Sequence, residues 1–87
     1  MTKKKKNIMK IKTTTTNRGF ALNTFEDEYQ RNCSIQKSSL ATKNCIWFGV
    51  DSDAEGNEVN NGRMHLSQSQ VKKLLPILNK FVETGEL

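Results

Sequence analysis

The chain has 87 residues, 34% of them hydrophobic, a mean hydropathy of −0.69 and a formal net charge of +5. That length allows one domain with a small core, and no run approaches the roughly 18 apolar residues of a membrane-spanning helix, so several domains and a helical membrane anchor are both excluded. The charge is uneven: Lys3, Lys4, Lys5, Lys6, Lys10 and Lys12 fall in the first twelve residues without an acid, leaving eight Lys/Arg against nine Asp/Glu beyond them, so the rest is nearly neutral.

Residues 1–16 read as a basic N-terminal tail, with a short strand over 8–16 where β-branched residues gather. No apolar stretch of a signal peptide follows the lysines, which points to a cytoplasmic protein with reduced thiols, and Met9 offers a second start that would discard the four-lysine run. Residues 17–87 read as a single α+β domain, a small antiparallel sheet of about four strands with one C-terminal amphipathic helix packed on one face. The strands fall near 18–25, 32–38, 45–50 and 62–66 and the helix over about 68–84. Phe20 and Leu22 share a face of the first strand, and Cys33 and Ile35 share a face of the second. Cys45 to Val50 is apolar on both faces, as in a central strand. Glu26 to Asn32 is a polar turn, and Lys37 to Asn44 is a serine-rich connection with room for one helical turn. Ser67 followed three residues later by Gln70 is a capping box. Val71, Leu74, Leu75, Leu78, Phe81 and Val82 form a stripe at helical spacing, and Gly85 can end the helix. Pro76 falls nearly opposite that stripe, where its missing N–H leaves a carbonyl facing water.

Asp51, Asp53 and Glu55 before Gly56 imitate the start of an EF-hand loop, but Gly62 stands where the bidentate Glu is required, so an exposed loop is expected and no calcium. Cys33, Cys45 and the single His65 lack zinc-site spacing and read as buried thiols and an outward-facing imidazole; no metal, cofactor or catalytic residue is assigned. The segment Lys37-Ser38-Ser39-Leu40-Ala41-Thr42-Lys43 has the best claim to function. Two hydroxyls between two lysines at a helical-turn start could receive a phosphate or carboxylate. With the exposed Gln36, Arg63 and His65, the candidate partner-binding set is Gln36, Lys37, Ser38, Ser39, Lys43, Arg63 and His65.

The pattern Gly19-Phe20, Cys33-Ser34-Ile35-Gln36-Lys37-Ser38-Ser39-Leu40-Ala41, Ile46-Trp47-Phe48-Gly49, Arg63-Met64-His65-Leu66, Gln70-Val71, Leu74-Leu75-Pro76 and Thr84-Gly85-Glu86-Leu87 resembles a widespread set of short, mostly uncharacterised phage and prophage proteins. The resemblance covers about residues 18–87 and brings no catalytic residues with it. Those relatives typically place glycine in the turn where this chain has Gln30-Arg31. It implies a small phage accessory protein in the cytoplasm of an infected bacterial host, acting by binding and not as an enzyme, with counter-defence inhibition of a host enzyme or toxin as the leading expectation. One alternative is an RNA-associated binder or toxin antagonist in which Lys3, Lys4, Lys5, Lys6, Lys10 and Lys12 contact phosphates. Another is a minor virion component. Finally, Ile46 and Trp47 point to opposite faces of one strand, and a single helix covers one face. The other is expected to be covered by a second copy in a two-fold homodimer, with Trp47 at or near the interface and residues 8–16 as the competing cover.

Overall fold

The computed structural model describes residues 10–87. Strands β1 (Lys12–Thr15), β2 (Ala21–Glu26), β3 (Asn32–Lys37), β4 (Cys45–Ser52) and β5 (Arg63–Ser67) form one antiparallel sheet in chain order, and α1 (Gln68–Thr84) follows β5 with no residue between them. The architecture is α+β, with five strands where the sequence suggests about four. The addition is β1, whose threonine run pairs with β2 from Lys12 opposite Thr24 to Thr15 opposite Ala21. All four of its residues are exposed, as suits a polar edge strand. Residues 12–15 therefore widen the sheet and do not fold over it. Lys3, Lys4, Lys5 and Lys6 lie outside the described residues.

The tight connections follow from particular side chains. Between β2 and β3, the Asp27 carboxylate accepts the backbone N–H groups of Tyr29 and Arg31 at 3.0 and 2.9 Å, and its other oxygen takes the Arg31 guanidinium at 2.7 Å. The Arg31 backbone N–H, with the guanidinium beside it, holds the Asp27 carboxyl below the usual aspartate range. Gln30 closes this turn at φ 65, in the left-handed region. Residues 38–44 contain bends and no helical turn, so the expected turn start at Ser38 and Ser39 is absent. Ser38 Oγ instead accepts from the Leu40 backbone N–H two residues on, an alternative to helix that serine readily offers. Asp53 clamps the 53–57 loop by accepting the backbone N–H groups of Glu55 and Asn57 at 3.0 and 2.8 Å. That is the work of the acid in the imitation EF-hand, and among the described residues no group of three or more His, Cys, Asp or Glu is placed to hold a metal ion.

Strand alternation and register give the sheet two unlike sides. Phe25, Cys33, Ile35, Ile46, Phe48, Val50, Met64 and Leu66 share one, the Ile46 side. Leu22, Thr24, Ser34, Gln36, Trp47, Arg63 and His65 share the other, the Trp47 side. Between Cys33 and Asn32 the β3–β4 register slips by one, leaving Asp51 as the unpaired extra residue of β4.

The helix begins as its sequence requires. Ser67 Oγ accepts from the Gln70 N–H at 3.2 Å and the Gln70 side chain accepts from the Ser67 N–H at 2.8 Å, while Gly85 at φ 76 returns its N–H to the Phe81 carbonyl. The helix continues through Pro76. Its position differs from the expectation of packing on a sheet face. No residue of α1 is buried, its substantial contacts are to β5, and Phe81 is 53% and Val82 81% exposed. The cause is local: Ser67 is both the last residue of β5 and the N-cap, so no linker exists to reverse the chain across the sheet. The molecule is consequently elongated, 50 × 31 × 22 Å, with a radius of gyration of 14.8 Å against about 12 Å for a compact domain of this length. Among the described residues the only buried apolar side chains are Cys33 and Cys45, both free thiols. No described helix is long and apolar enough to cross a membrane.

Candidate functional site

The Trp47 side of the sheet carries a dense cluster of polar and aromatic groups. β4 places Trp47 between Gln36 of β3 and His65 of β5, directly opposite each in the register. The imidazole stacks on the indole, centroids 4.0 Å apart and planes inclined by 18°. Arg63, two residues before His65 and so on the same side, holds its guanidinium 5.5 Å from the Trp47 ring centre. It donates to Gln36 Oε1 at 3.1 Å and reaches Asp51 Oδ1 at 3.5 Å. Asp51, the extra residue of the β4 bulge, follows Trp47 and Gly49 at every second position.

Gly49 makes the close approach of β4 and β5 feasible. Its φ is 153, and a Cβ there would collide with the Gly62 carbonyl oxygen and lie 2.8 Å from Arg63 Cα. A glycine at 49 thus lets Arg63 sit against β4, next to Trp47. Across β3, Ser34 lies opposite Gly49 on one side and Thr24 on the other, only 1% exposed, and its Oγ has no hydrogen-bond partner. A buried hydroxyl with its donor unmet is uncommon and places an unused polar group at the floor of this face.

Ser38 completes the cluster. It is 4% exposed, its Oγ lies 3.0 Å from His65 Nε2, and its backbone N–H is tied to the Cys45 carbonyl. A serine beside a histidine is two thirds of a nucleophilic triad, yet the third member is missing: among the described residues His65 is held by Ser38 and Trp47, with no carboxylate orienting the ring. The Ser38 hydroxyl is also occupied by the Leu40 N–H and withdrawn from solvent. Burial pushes the Cys33 thiol upward, so it stays protonated, and strand alternation puts it on the opposite side of the sheet.

Of the residues singled out from the sequence, Gln36, Ser38, Arg63 and His65 come together here. Lys37, Ser39 and Lys43 do not. Alternation sends Lys37 to the Ile46 side, where its ammonium reaches Asn44 Oδ1 at 3.4 Å, and Ser39 and Lys43 lie exposed in the bends after β3. Lys10 and Lys12 are exposed at the β1 edge, far along the sheet from β5. Trp47, Asp51, Ser34 and Gly49 belong to the cluster and were not assigned to a site from the sequence. Alternation along β4 puts Trp47 on the side away from Ile46 and Phe48, but its pairing with Gln36 and His65 depends on registers that the connections at 38–44 and 53–62 set.

Chemically the face offers a pinned cation, a stacked aromatic pair and amide and hydroxyl groups within a few ångströms. That combination suits recognition of an acidic or planar group. Compared with protein-family models, with curated proteins and with solved structures, the chain finds no match.

Proposed function

We propose that this chain is a phage-encoded accessory protein that acts by binding in the cytoplasm of the infected host, occupying a host enzyme or toxin in the manner of a counter-defence inhibitor. The observation that carries the reading is the convergence of Gln36, Ser38, Arg63 and His65 around Trp47. Arginine and tryptophan are the side chains that most often dominate binding energy at protein interfaces. Here the guanidinium is held in place by Asp51 and Gln36, so little side-chain freedom is lost when a partner arrives. The resemblance to short phage proteins supplies the biological class, and the polar character of the Trp47 side supplies the expected partner chemistry, an acidic or aromatic protein surface.

The test is affinity purification of the tagged protein from infected cells, with and without ribonuclease, beside Arg63→Glu and a variant lacking residues 1–8. The reading expects one host protein recovered stoichiometrically in ribonuclease and at high salt, unaffected by loss of the tail, and weakened about 30-fold by Arg63→Glu, the equivalent of about 2 kcal/mol at a dominant contact. Recovery that needs intact RNA, or that is indifferent to Arg63, contradicts it.

A further inference from the structure

Two apolar surfaces find no cover among the described residues. The Ile46 side of the sheet presents Met64, 52% exposed, beside the half-buried Ile35 and Phe48, while the stripe of α1 presents Leu78, Phe81 and Val82 at 50, 53 and 81%. The two are continuous. At the foot of the helix Val71 and Leu75 line an open groove of about 500 Å³ together with Ile46 and Leu66, so the helical stripe and the sheet face meet at a corner and look toward the same side. At 100° per residue Lys73, Pro76 and Lys80 fall on the other side of the helix, facing away from that corner.

We infer that a second copy of this chain covers both surfaces, in a two-fold pair in which the outer half of each α1 lies across the Ile35–Phe48–Met64 face of the other subunit. Within the chain nothing described can do it. The capping box fixes α1 as a direct extension of β5, and β1 is committed to the sheet edge. The cover must also be permanent, because a fold whose buried apolar side chains, among the described residues, are two cysteines has too little core to hold a five-stranded sheet by itself. A partner present wherever the chain folds is another copy of it. Each subunit has a sheet lacking a helical layer and a helix lacking a sheet beneath it, so a single two-fold axis satisfies both deficits at once. The dimensions agree. A 17-residue helix is about 25 Å long and five strands span about 19 Å between outer axes, so the outer turns of α1 reach across the apolar strands β3 to β5. Two helix-on-sheet contacts of that size fall in the range of about 1,200–2,000 Å² that specific interfaces bury. The Trp47 side is left free for a partner.

Light scattering at high micromolar concentration should give twice the 9.9 kDa of the chain, falling to the single-chain mass in Leu78→Asp and Phe81→Asp. Those positions are already in water in an isolated subunit, so a monomer would tolerate both changes. Because a variant stripped of its partner can unfold, a second measurement uses the intact dimer: a benzophenone side chain placed at 81, in an equal mixture of light- and heavy-isotope chains. Cross-links should join α1 of one isotope to β3, β4 or β5 of the other. A single-chain mass for the unmodified protein, cross-links confined within one isotope, or cross-links between chains that avoid the sheet would each overturn the inference.

Discussion

Gln30 sits at φ 65 where the β2–β3 turn closes, a conformation that brings the Cβ of an L-residue too close to the following carbonyl. The turn tolerates it because Asp27 and Arg31 bind each other and the backbone on either side. Gln30→Gly should therefore stabilise the fold by about 1 kcal/mol, read as a higher denaturant midpoint with an unchanged slope. The same turn makes the hairpin acid-sensitive. The folded pKa of Asp27 lies below the ordinary 3.8, so its stabilising contribution is complete above that value and is lost as pH falls through the lowered one. Acid titration followed by amide exchange should show the 27–31 turn loosening in that window, and Asp27→Asn should remove the dependence. At this scale the sequence was legible for exposed polar residues and silent about neighbours. Gln36, Arg63 and His65 could be named as outward-facing from alternation alone, whereas Ser38 was chosen for a helical turn that does not form and belongs to the site through His65.

Strands and helix were legible where a side-chain period and a stop signal coincide. Ser67 with Gln70, then the stripe to Phe81 and Val82, then Gly85, place α1 over Gln68–Thr84 without tertiary information. The Thr13–Thr16 run has β-branched residues but no apolar alternation, so its choice between linker and strand rested on whether β2 left an open edge. The register of β4 against β5 was hidden for a different reason. Residues 53–62 form a long loop whose clamps at Asp53 and Asn57 set where β5 starts, and a slip of one residue would have sent Trp47 and His65 to opposite sides. Gly49 is where that pairing is most easily attacked. A methyl group there meets the backbone of Gly62 and Arg63 at the start of β5, which cannot move aside as a flexible side chain would. Gly49→Ala should cost about 1–3 kcal/mol by overpacking and force β4 and β5 apart. Because the Gly62 carbonyl met first and the Arg63 Cα beside it must both shift, the variant should also lose partner binding while its circular-dichroism spectrum stays that of a folded chain, a combination that an isolated surface change would not produce.

For the whole molecule, an amphipathic stripe states that a helix must be covered and leaves open by what. That is why the helix itself could be read from Leu74, Leu78 and Phe81 and its docking onto its own sheet could not: the direct junction at Ser67 decides the matter, and it is a property of two elements together. Charge separates the molecule in another way. The described fold pairs Arg31 with Asp27 and Arg63 with Asp51 and Gln36 and has no run of lysines longer than Lys72-Lys73, whereas Lys3, Lys4, Lys5 and Lys6 are consecutive in the sequence ahead of the first strand. Any sequence-independent attraction to RNA therefore has its source in the first residues of the chain. Removing residues 1–8 takes away those four lysines and little apolar material and leaves Lys10, Lys12 and all of β1, so the thermal midpoint should barely change. Binding to single-stranded RNA at low salt should fall sharply. If each lost lysine had met one phosphate, the slope of log affinity against log salt should shrink by about 3, at roughly 0.7 for each contact on a single strand. Titrations of the full chain and the shortened chain at several salt concentrations measure that difference directly. An unchanged slope would move the RNA contacts onto the sheet, where Arg63 and the Trp47–His65 stack would be the groups to examine first.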